Sequence, residues 1–191
     1  MSVVCEDMGL WGLPVVARIG GVEYGIHGDF RDILGIFRYL NDPDKPEFLR
    51  WRIAVALFYE GEIPDGLIQE AVGYLVWFIG CGEMAQRPGP RLLDWEQDAQ
   101  VIVADVNKVA GTEVRALPFL HWWTFMAYFN AIGEGQLSTL VAIRDKIARG
   151  KKLEKWEQEY YRKNKSRVEL RKRYSAEEIA QRERLESLLG G

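Results

Sequence analysis

The chain has 191 residues, enough for one domain with an appendage and too few for two full domains of typical size. Its hydrophobic fraction of 48% and charged fraction of 28% exclude an intrinsically disordered chain, and its two cysteines exclude a disulfide-rich secreted scaffold. Residues 144–191 hold 15 Lys and Arg against 9 Asp and Glu, a net charge of +6, whereas residues 1–143 hold 10 against 19, a net charge of −9. This asymmetry is compatible with a nucleic-acid arm, an acidic partner or a tail folded on its own body, and a solvated helix of mixed charge is the simplest interpretation.

The N-terminus lacks the basic, apolar and small-residue pattern of a secretory signal, so a reducing cytoplasm is the expected location. The longest run without charged residues spans 116–133, and it contains Pro118, His121 and Asn130. A membrane span needs about 20 predominantly apolar residues. This run therefore predicts a buried or partner-facing aromatic helix, and we expect no membrane contact.

A β-hairpin is predicted at the start of the fold. Residues 15–19 and 22–26 are β-branched runs separated by Gly20-Gly21, a dipeptide that suits a two-residue turn. Asp29 can then cap a helix over residues 30–40, whose apolar residues recur at helical spacing.

Two strongly apolar helices should follow and form the core. The first covers residues 47–60, and the second begins at Pro64 and continues to Ile79. Pro88-Gly89-Pro90 then predicts a surface loop over residues 83–91, because neither a helix nor a central strand tolerates this tripeptide.

The second half of the body is also predicted to be helical. Asp94 and Gln97 resemble a capping box for a helix that ends before Gly111. Helices over residues 119–132 and 137–148 follow from their apolar spacing.

Beyond residue 150 the composition changes to Lys, Arg, Glu and Gln, and Ser175 with Glu178 predicts the capping box of a last helix ending at Gly190. The expected fold is mainly α, a compact helical domain with a short N-terminal β-hairpin and a basic C-terminal helical tail. We assign 1–14 to an N-terminal extension, 15–150 to the helical domain and 151–191 to the tail, which should pack lightly or await a partner.

The sequence gives little indication of catalysis. His27 and His121 have no carboxylate or cysteine at metal-ligand spacing, and Cys81 has no basic partner nearby in the sequence. The acidic residues between 94 and 105 are explained by helix-dipole complementarity and a solvated face. We therefore expect no enzyme activity, no metal and no cofactor.

The aromatic segment is the best candidate for contact with another protein, since Trp, Tyr, Phe and Met are the residue types that anchor interfaces. Helical spacing favours the core for Trp122, Phe125 and Phe129, and divides Trp123, Met126 and Tyr128 between core and surface. Aromatic residues in the basic tail could stack on bases, but interleaved glutamates disfavour nucleic acid. The candidate partner-contact residues are Trp122, Trp123, Met126, Tyr128, Trp156 and Tyr160.

Leu120-His121-Trp122-Trp123-Thr124-Phe125 resembles the Leu-His-Trp-Trp-Lys-Phe signature of a bacteriophage family named for its gene product fifteen, from siphophages and prophages of Gram-positive bacteria. Residues 19–26, the stretch from Leu93 to Ala99, Ile143-Arg144 and the run from Tyr160 to Lys163 are also similar to that family and occur in the same order. Thr124 departs from the family's usual lysine.

The resemblance implies a protein of the phage tail module, because genes of this family typically lie between those of the major tail protein and the tape measure protein. The leading hypothesis is a non-catalytic tail assembly chaperone or accessory factor of the host cytoplasm, absent from the mature virion. It would bind the tape measure protein, could contact the major tail protein and could self-associate. The alternatives are a permanent structural tail subunit and a nucleic-acid-binding accessory protein that uses the basic tail.

Overall fold

A computed structural model describes residues 11–83 and 89–181 of the chain. The described residues are mainly helical, with a two-stranded antiparallel sheet at the N-terminal side, so the predicted fold class is confirmed. The chain divides into two compact units, unit 1 (Met1–Gly82 with Lys172–Gly191) and unit 2 (Glu83–Arg171). The predicted domain boundaries after residues 14 and 150 stay predictions, because compactness alone does not define an independently folding domain.

Unit 1 begins with the predicted hairpin. Strands β1 (Val16–Ile19) and β2 (Val22–Gly25) pair antiparallel, with Ile19 opposite Val22. The turn residues Gly20 and Gly21 have φ values of 58° and 81°, as a primed two-residue turn requires. One face of β1 is buried and the other is exposed, so the hairpin contributes a single apolar face to the core.

The helices of unit 1 are α1 (Phe30–Leu40), α2 (Glu47–Phe58) and α3 (Ile68–Ile79), with a 3₁₀ turn at Asp65–Leu67. The predicted cap is confirmed, since the Asp29 carboxylate accepts the Arg31 N–H at 2.9 Å. Helix α2 ends two residues earlier than predicted because Tyr59 turns to extended backbone and bridges to Ile26.

The core of unit 1 is apolar and aromatic. Phe58 and Phe78 are fully buried, with ring centroids 5.0 Å apart. The Tyr59 hydroxyl donates to the Ala71 carbonyl at 2.8 Å, and burial raises the pKa of this phenol far above its usual range. The Tyr59 hydroxyl is thus hydrogen-bonded while its ring fills the core.

The C-terminal part of unit 1 contains the start of the last predicted helix. Residues 176–181 are helical, and Ser175 and Glu178 exchange hydrogen bonds between side chain and backbone, which confirms the predicted capping box. The Ala176 N–H also donates to the Asp44 carboxylate at 2.6 Å. The rest of the predicted helix, as far as Gly190, lies outside the described residues.

Unit 2 contains five helices in the part of the chain that the structure describes: α4 (Ala99–Ala110), α5 (Trp122–Asn130), α6 (Gln136–Ala148), α7 (Lys155–Lys163) and α8 (Lys165–Val168). Helix α4 packs against α5 and α6, and α8 packs against α6 and α7. Helix α5 begins three residues later than predicted, because a 3₁₀ turn at Val114–Ala116 and an extended stretch precede it. Residues 89–94 have no regular structure, and the remainder of the predicted loop includes residues 84–88, which are not described.

The first half of the basic tail packs more closely than expected. Val168 is 2% exposed and joins Leu140 and Ile143 in an apolar cluster. Leu153, Tyr160 and Tyr161 pack against the same cluster. The expectation of light packing is therefore wrong for Leu153, Tyr160, Tyr161 and Val168, which pack on α6, whereas Trp156 in the same stretch is exposed.

Candidate partner-binding site

Helix α5 carries four of the six candidate contact residues, and His121 fixes its start. The His121 side chain is 3% exposed, and its Nδ1 accepts the Trp123 N–H at 3.1 Å. An imidazole acceptor satisfies one of the unpaired N–H groups of the first helical turn, as a capping carboxylate or hydroxyl would. The histidine of the Leu-His-Trp-Trp motif therefore has a structural role.

One face of α5 belongs to the core. Trp122 and Phe125 are each 1% exposed, and their rings stack at a centroid distance of 5.7 Å. Trp95 lies edge-on to Trp122 at 5.8 Å. Of the six candidate contact residues, Trp122 thus has almost no accessible surface, and its ring supports the helix from beneath.

The other faces of α5 remain partly open. Trp123 and Met126 are half-buried and lie three residues apart, on the same flank of the helix. Tyr128 is also half-buried and lies on the opposite flank. The Trp123 ring meets the His121 ring edge-on at 6.2 Å, so the capping residue also orients this tryptophan.

The remaining two candidates lie on α7 and differ from each other. Trp156 is 57% exposed, whereas Tyr160 is half-buried against the apolar cluster beneath it. Between them Glu157 is 3% exposed and accepts two hydrogen bonds from Lys146 Nζ, at 2.7 and 2.8 Å. The hydrogen bond from Lys146, helped by the Glu154 N–H, lowers the pKa of the Glu157 carboxyl.

The two groups of candidates have different neighbours, since α5 packs on α4 and α7 packs on α8. The accessible candidates are Trp123, Met126 and Tyr128 on α5 and Trp156 on α7. Half-buried aromatic and methionine side chains on a supported helix suit contact with another protein, because little side-chain entropy remains to be lost. The exposed Trp156 adds a large ring on a second helix.

Sequence reasoning missed the polar centre of unit 2, which is a buried ion pair. Arg144 is 4% exposed and Asp98 is 2% exposed, and the guanidinium makes two hydrogen bonds to the carboxylate, at 2.6 and 2.9 Å. Arg144 also donates to three backbone carbonyl groups, those of Leu92, Arg167 and Val168, at 2.9, 2.6 and 2.8 Å. One side chain thus joins α6, α4, α8 and the segment before α4.

A sequence signal for this pair was present. Arg144 stands seven residues after Leu137 and four after Leu140, on the apolar stripe of α6. A charged residue at a core position requires a buried partner. Asp98 and Arg144 both lie in segments that resemble the phage family, so the resemblance marked the residues without revealing their contact.

The capping box predicted from Asp94 and Gln97 forms only in part. The Asp94 carboxylate accepts the N–H groups of Glu96 and Gln97, as predicted, but the Asp94 N–H donates to the Asp98 carboxylate and not to Gln97, and this turn ends before α4 begins at Ala99. The Gln97 amide instead donates to the Glu169 carbonyl at 2.8 Å and accepts the Arg171 N–H at 2.9 Å. Gln97 is therefore used to hold the chain after α8, a tertiary role that helix propensity could not reveal.

Asp105 connects α4 to the start of α6. Its carboxylate accepts the Leu137 N–H at 2.9 Å and bonds to Lys108 Nζ at 2.7 Å. Burial by itself would raise the pKa of this carboxyl, but the hydrogen bonds from Lys108 and Leu137 outweigh it and the pKa is lowered. A Cβ atom on Gly135 would lie 2.7 Å from the carboxylate, so the close approach requires glycine.

The solvated acidic face predicted between residues 94 and 105 is therefore wrong for Asp94, Asp98 and Asp105, which are buried and engaged in structural hydrogen bonds. Among residues 11–83 and 89–181, no three His, Cys, Asp or Glu side chains converge as a metal site would require. None of the helices in that part of the chain has the length and apolar character needed to cross a bilayer.

Comparison with known proteins identifies the family. No curated protein and no solved structure matches the chain. The family model described as Bacteriophage Gp15 protein matches residues 12–170, which include the hairpin, both α5 faces and the buried Asp98–Arg144 pair. Because this match covers most of the sequence, the chain belongs to the Bacteriophage Gp15 protein family.

Proposed function

We propose that this phage protein is a tail assembly chaperone or accessory factor that binds the tape measure protein during tail morphogenesis. A tape measure protein is a long helical chain whose apolar stripes aggregate if they stay exposed before the tail tube surrounds them. A small helical protein can cover such stripes by packing helix against helix and can later be displaced by tail tube subunits. It acts in the host cytoplasm and leaves before the virion is complete.

The observation that supports this proposal most is the division of α5 into a closed and an open side. Trp122 and Phe125 fix the helix in the core, and Trp123 and Met126 on its flank keep accessible surface. Tyr128 on the opposite flank of α5 and the exposed Trp156 on α7 offer further apolar surface at separate positions. Interface anchors of this type give most of their energy when they are held rigidly before binding.

We propose further that the protein acts by binding and does not catalyse a reaction. The buried carboxylates of Asp98 and Asp105 could serve acid–base chemistry, but both already accept structural hydrogen bonds. Asp98 accepts from Arg144, and Asp105 accepts from the backbone at the start of α6. His121 caps α5 through Nδ1.

The nucleic-acid alternative is weakened by the pairing of cations in the basic region from residue 144 onwards, on α6 and in the tail. Lys146 binds the buried Glu157, Lys163 bonds to Glu159 at 2.7 Å, and Arg144 is buried. Cations held by neighbouring carboxylates release fewer counterions from phosphates. If the tail bound nucleic acid, the affinity would fall steeply as salt rises, whereas apolar contact with the tape measure protein would persist.

Co-expression with the tape measure protein of the same phage tests the proposal. We expect the soluble fraction of the tape measure protein to rise several-fold with the wild-type chain and to fall with a Trp123→Ala/Met126→Ala variant. Ile147→Ala, which alters an exposed apolar residue on α6, serves as the matched control and should act like wild type. An unchanged soluble fraction with and without the wild-type chain would refute the chaperone role.

Mass spectrometry of finished virions separates a chaperone from a permanent structural subunit. A chaperone is absent from purified particles. A structural tail subunit would be as abundant there as other tail proteins.

A further inference from the structure

Residues 166–171, called the strap below, contain the carboxyl end of α8 and are bound by a buried cation. The Arg144 guanidinium donates to the Arg167 and Val168 carbonyls at 2.6 and 2.8 Å. The last carbonyls of a helix have no partner within it, and a cation at that end satisfies them. Asp98 fixes the orientation of the guanidinium through hydrogen bonds of 2.6 and 2.9 Å, so the donors are already in position for the strap.

Gln97 binds the next residues of the strap in the same manner. Its side-chain amide donates to the Glu169 carbonyl at 2.8 Å and accepts the Arg171 N–H at 2.9 Å. An amide that donates to one main-chain group and accepts from another recognises the backbone and not the side chains. In the part of the chain that the structure describes, the hydrogen bonds of Arg144 and Gln97 with the strap all involve its main-chain atoms.

The strap is anchored by a single apolar side chain. Val168 is 2% exposed and packs with Leu140 and Ile143 of α6, whereas its neighbours Arg167 and Glu169 are exposed. Where main-chain hydrogen bonds supply the affinity for a peptide segment, a pocket for a side chain supplies the specificity. The strap groove is defined as the surface formed by Gln97, Leu140, Ile143 and Arg144.

The strap belongs to a larger terminal element that includes α7. Helix α8 packs on α7, and the Tyr161 hydroxyl of α7 donates to the Glu169 carboxylate at 2.6 Å. Residues 151–154, which join this element to the turn after α6, have no regular structure, and Lys151 and Lys152 are exposed. An element on such a connection can be exchanged between identical chains at low cost, because the same contacts form in either chain.

We infer that the strap groove is a peptide-binding site, filled within one chain by its own strap and able to take the strap of a second copy. Its ligand is a helical turn followed by extended backbone, with an aliphatic side chain at the position of Val168 and no required side chain beside it. The chain's own strap competes at an effective concentration on the order of millimolar, so a second copy binds where the first strap has left. The inference does not depend on the proposed function.

Fluorescence anisotropy with labelled synthetic peptides of residues 153–171 tests the groove on full-length chains. The receptor variant carries Val168→Ser and Tyr161→Ser, which weaken the hold of its own strap. We expect the wild-type peptide to bind this variant at least about tenfold more tightly than it binds the wild-type chain, where the intact strap competes. A peptide with Val168→Ser should bind at least about tenfold more weakly, because the buried anchor is lost.

A peptide with Arg167→Gln is the matched control and should bind within about threefold of the wild-type peptide, since this side chain is exposed. If the receptor variant does not unfold cooperatively, a Val168→Ala chain with a milder truncation takes its place. The groove is refuted if neither chain binds the wild-type peptide more tightly than the wild-type chain does. It is equally refuted if Arg167→Gln weakens the peptide as much as Val168→Ser.

Analytical ultracentrifugation of two mixed full-length variants tests the second copy. The receptor variant keeps an intact groove, and a Gln97→Ala chain keeps an intact strap that its own groove holds less tightly. We expect more pairs in the equimolar mixture than in either variant alone, because only the mixture joins a free strap to an intact groove. Peptide binding without these pairs would overturn the assignment of a second copy as the ligand.

Discussion

The two units bury polar groups to very different extents. Among the described residues of unit 1, the buried set contains one charged side chain, Asp29, and the rest is apolar or aromatic. Unit 2 buries six polar or charged side chains, Asp94, Asp98, Asp105, His121, Arg144 and Glu157. Both units are helical and similar in size, so the difference lies in the interactions inside each core: apolar packing in unit 1, and buried polar and charged contacts in unit 2.

This contrast indicates two kinds of tolerance to substitution. Apolar cores accept many changes of shape at modest cost if their volume is kept. A buried ion pair tolerates substitution poorly, because the loss of one partner leaves the other charge buried without a counter-charge. We therefore expect unit 1 to tolerate conservative changes that unit 2 does not.

The largest expected effect is at Asp98. Asp98→Asn keeps the size of the side chain but leaves the Arg144 guanidinium buried without a counter-charge, and should lower the free energy of unfolding by about 3–5 kcal/mol. Urea unfolding of the full chain measures this change. Glu159→Gln, in the exposed pair with Lys163, is the control and should cost less than about 1 kcal/mol. Equal losses in the two variants would contradict the special role of the buried pair.

His121 should give the next largest effect. His121→Ala removes the side-chain cap of α5 and should cost about 1–2 kcal/mol, which is roughly 2–8 °C in the melting temperature of a chain of this size. His121→Asn restores a capping acceptor and should recover part of the loss. If both variants melt at the same temperature, the hydrogen bond to the Trp123 N–H is not what the histidine contributes.

A conservative substitution in the core of unit 1 should lower the free energy of unfolding by less than the substitution in unit 2. Phe78→Leu keeps an apolar side chain in a fully buried position and should cost less than about 1.5 kcal/mol in the free energy of unfolding. The matched comparison is Asp98→Asn in unit 2, measured under the same conditions. The proposed difference between the units disappears if Phe78→Leu is the more damaging of the two.

The smallest expected effect is on the pH dependence of stability, through Asp105. Because the pKa of Asp105 is lowered in the folded protein, its contribution to stability is present above the unfolded value of about 3.9 and is lost as the pH falls through the folded pKa. Asp105→Asn should therefore be less stable than wild type at pH 7, and the difference should shrink towards pH 2. Unfolding curves measured across this range give the comparison, and a constant difference at every pH would exclude linkage to this carboxyl.

Much of the fold follows from local sequence signals. The bounds of α1 were predicted residue for residue, because Asp29 caps it and its apolar spacing is regular. The hairpin followed from Gly20-Gly21, and the start of the last helix from Ser175 and Glu178. Each of these signals acts within a few residues of the chain, where spacing and turn chemistry are sufficient.

The candidate site was predicted less completely. Helical spacing alone placed Trp122, Phe125 and Phe129 in the core. The structure confirms this for Trp122 and Phe125, whereas Phe129 is only half-buried, and spacing could not tell which flank residues keep accessible surface. The start of α5 was predicted too early, because the sequence of an apolar run does not distinguish the extended backbone before His121 from helix. Contact of Trp123, Met126, Tyr128, Trp156 and Tyr160 with a partner stays a prediction.

The sequence by itself determined the helical class, the hairpin, the caps of local origin and the membership in a phage family, because these depend on periodicity and on motifs of neighbouring residues. Only the tertiary structure decided that Asp98 meets Arg144 across 46 positions of the chain and that Gln97 binds the backbone after α8. Long-range pairing of this kind has no local signature. It is settled by the requirement that every buried charge and amide finds a partner when the helices pack.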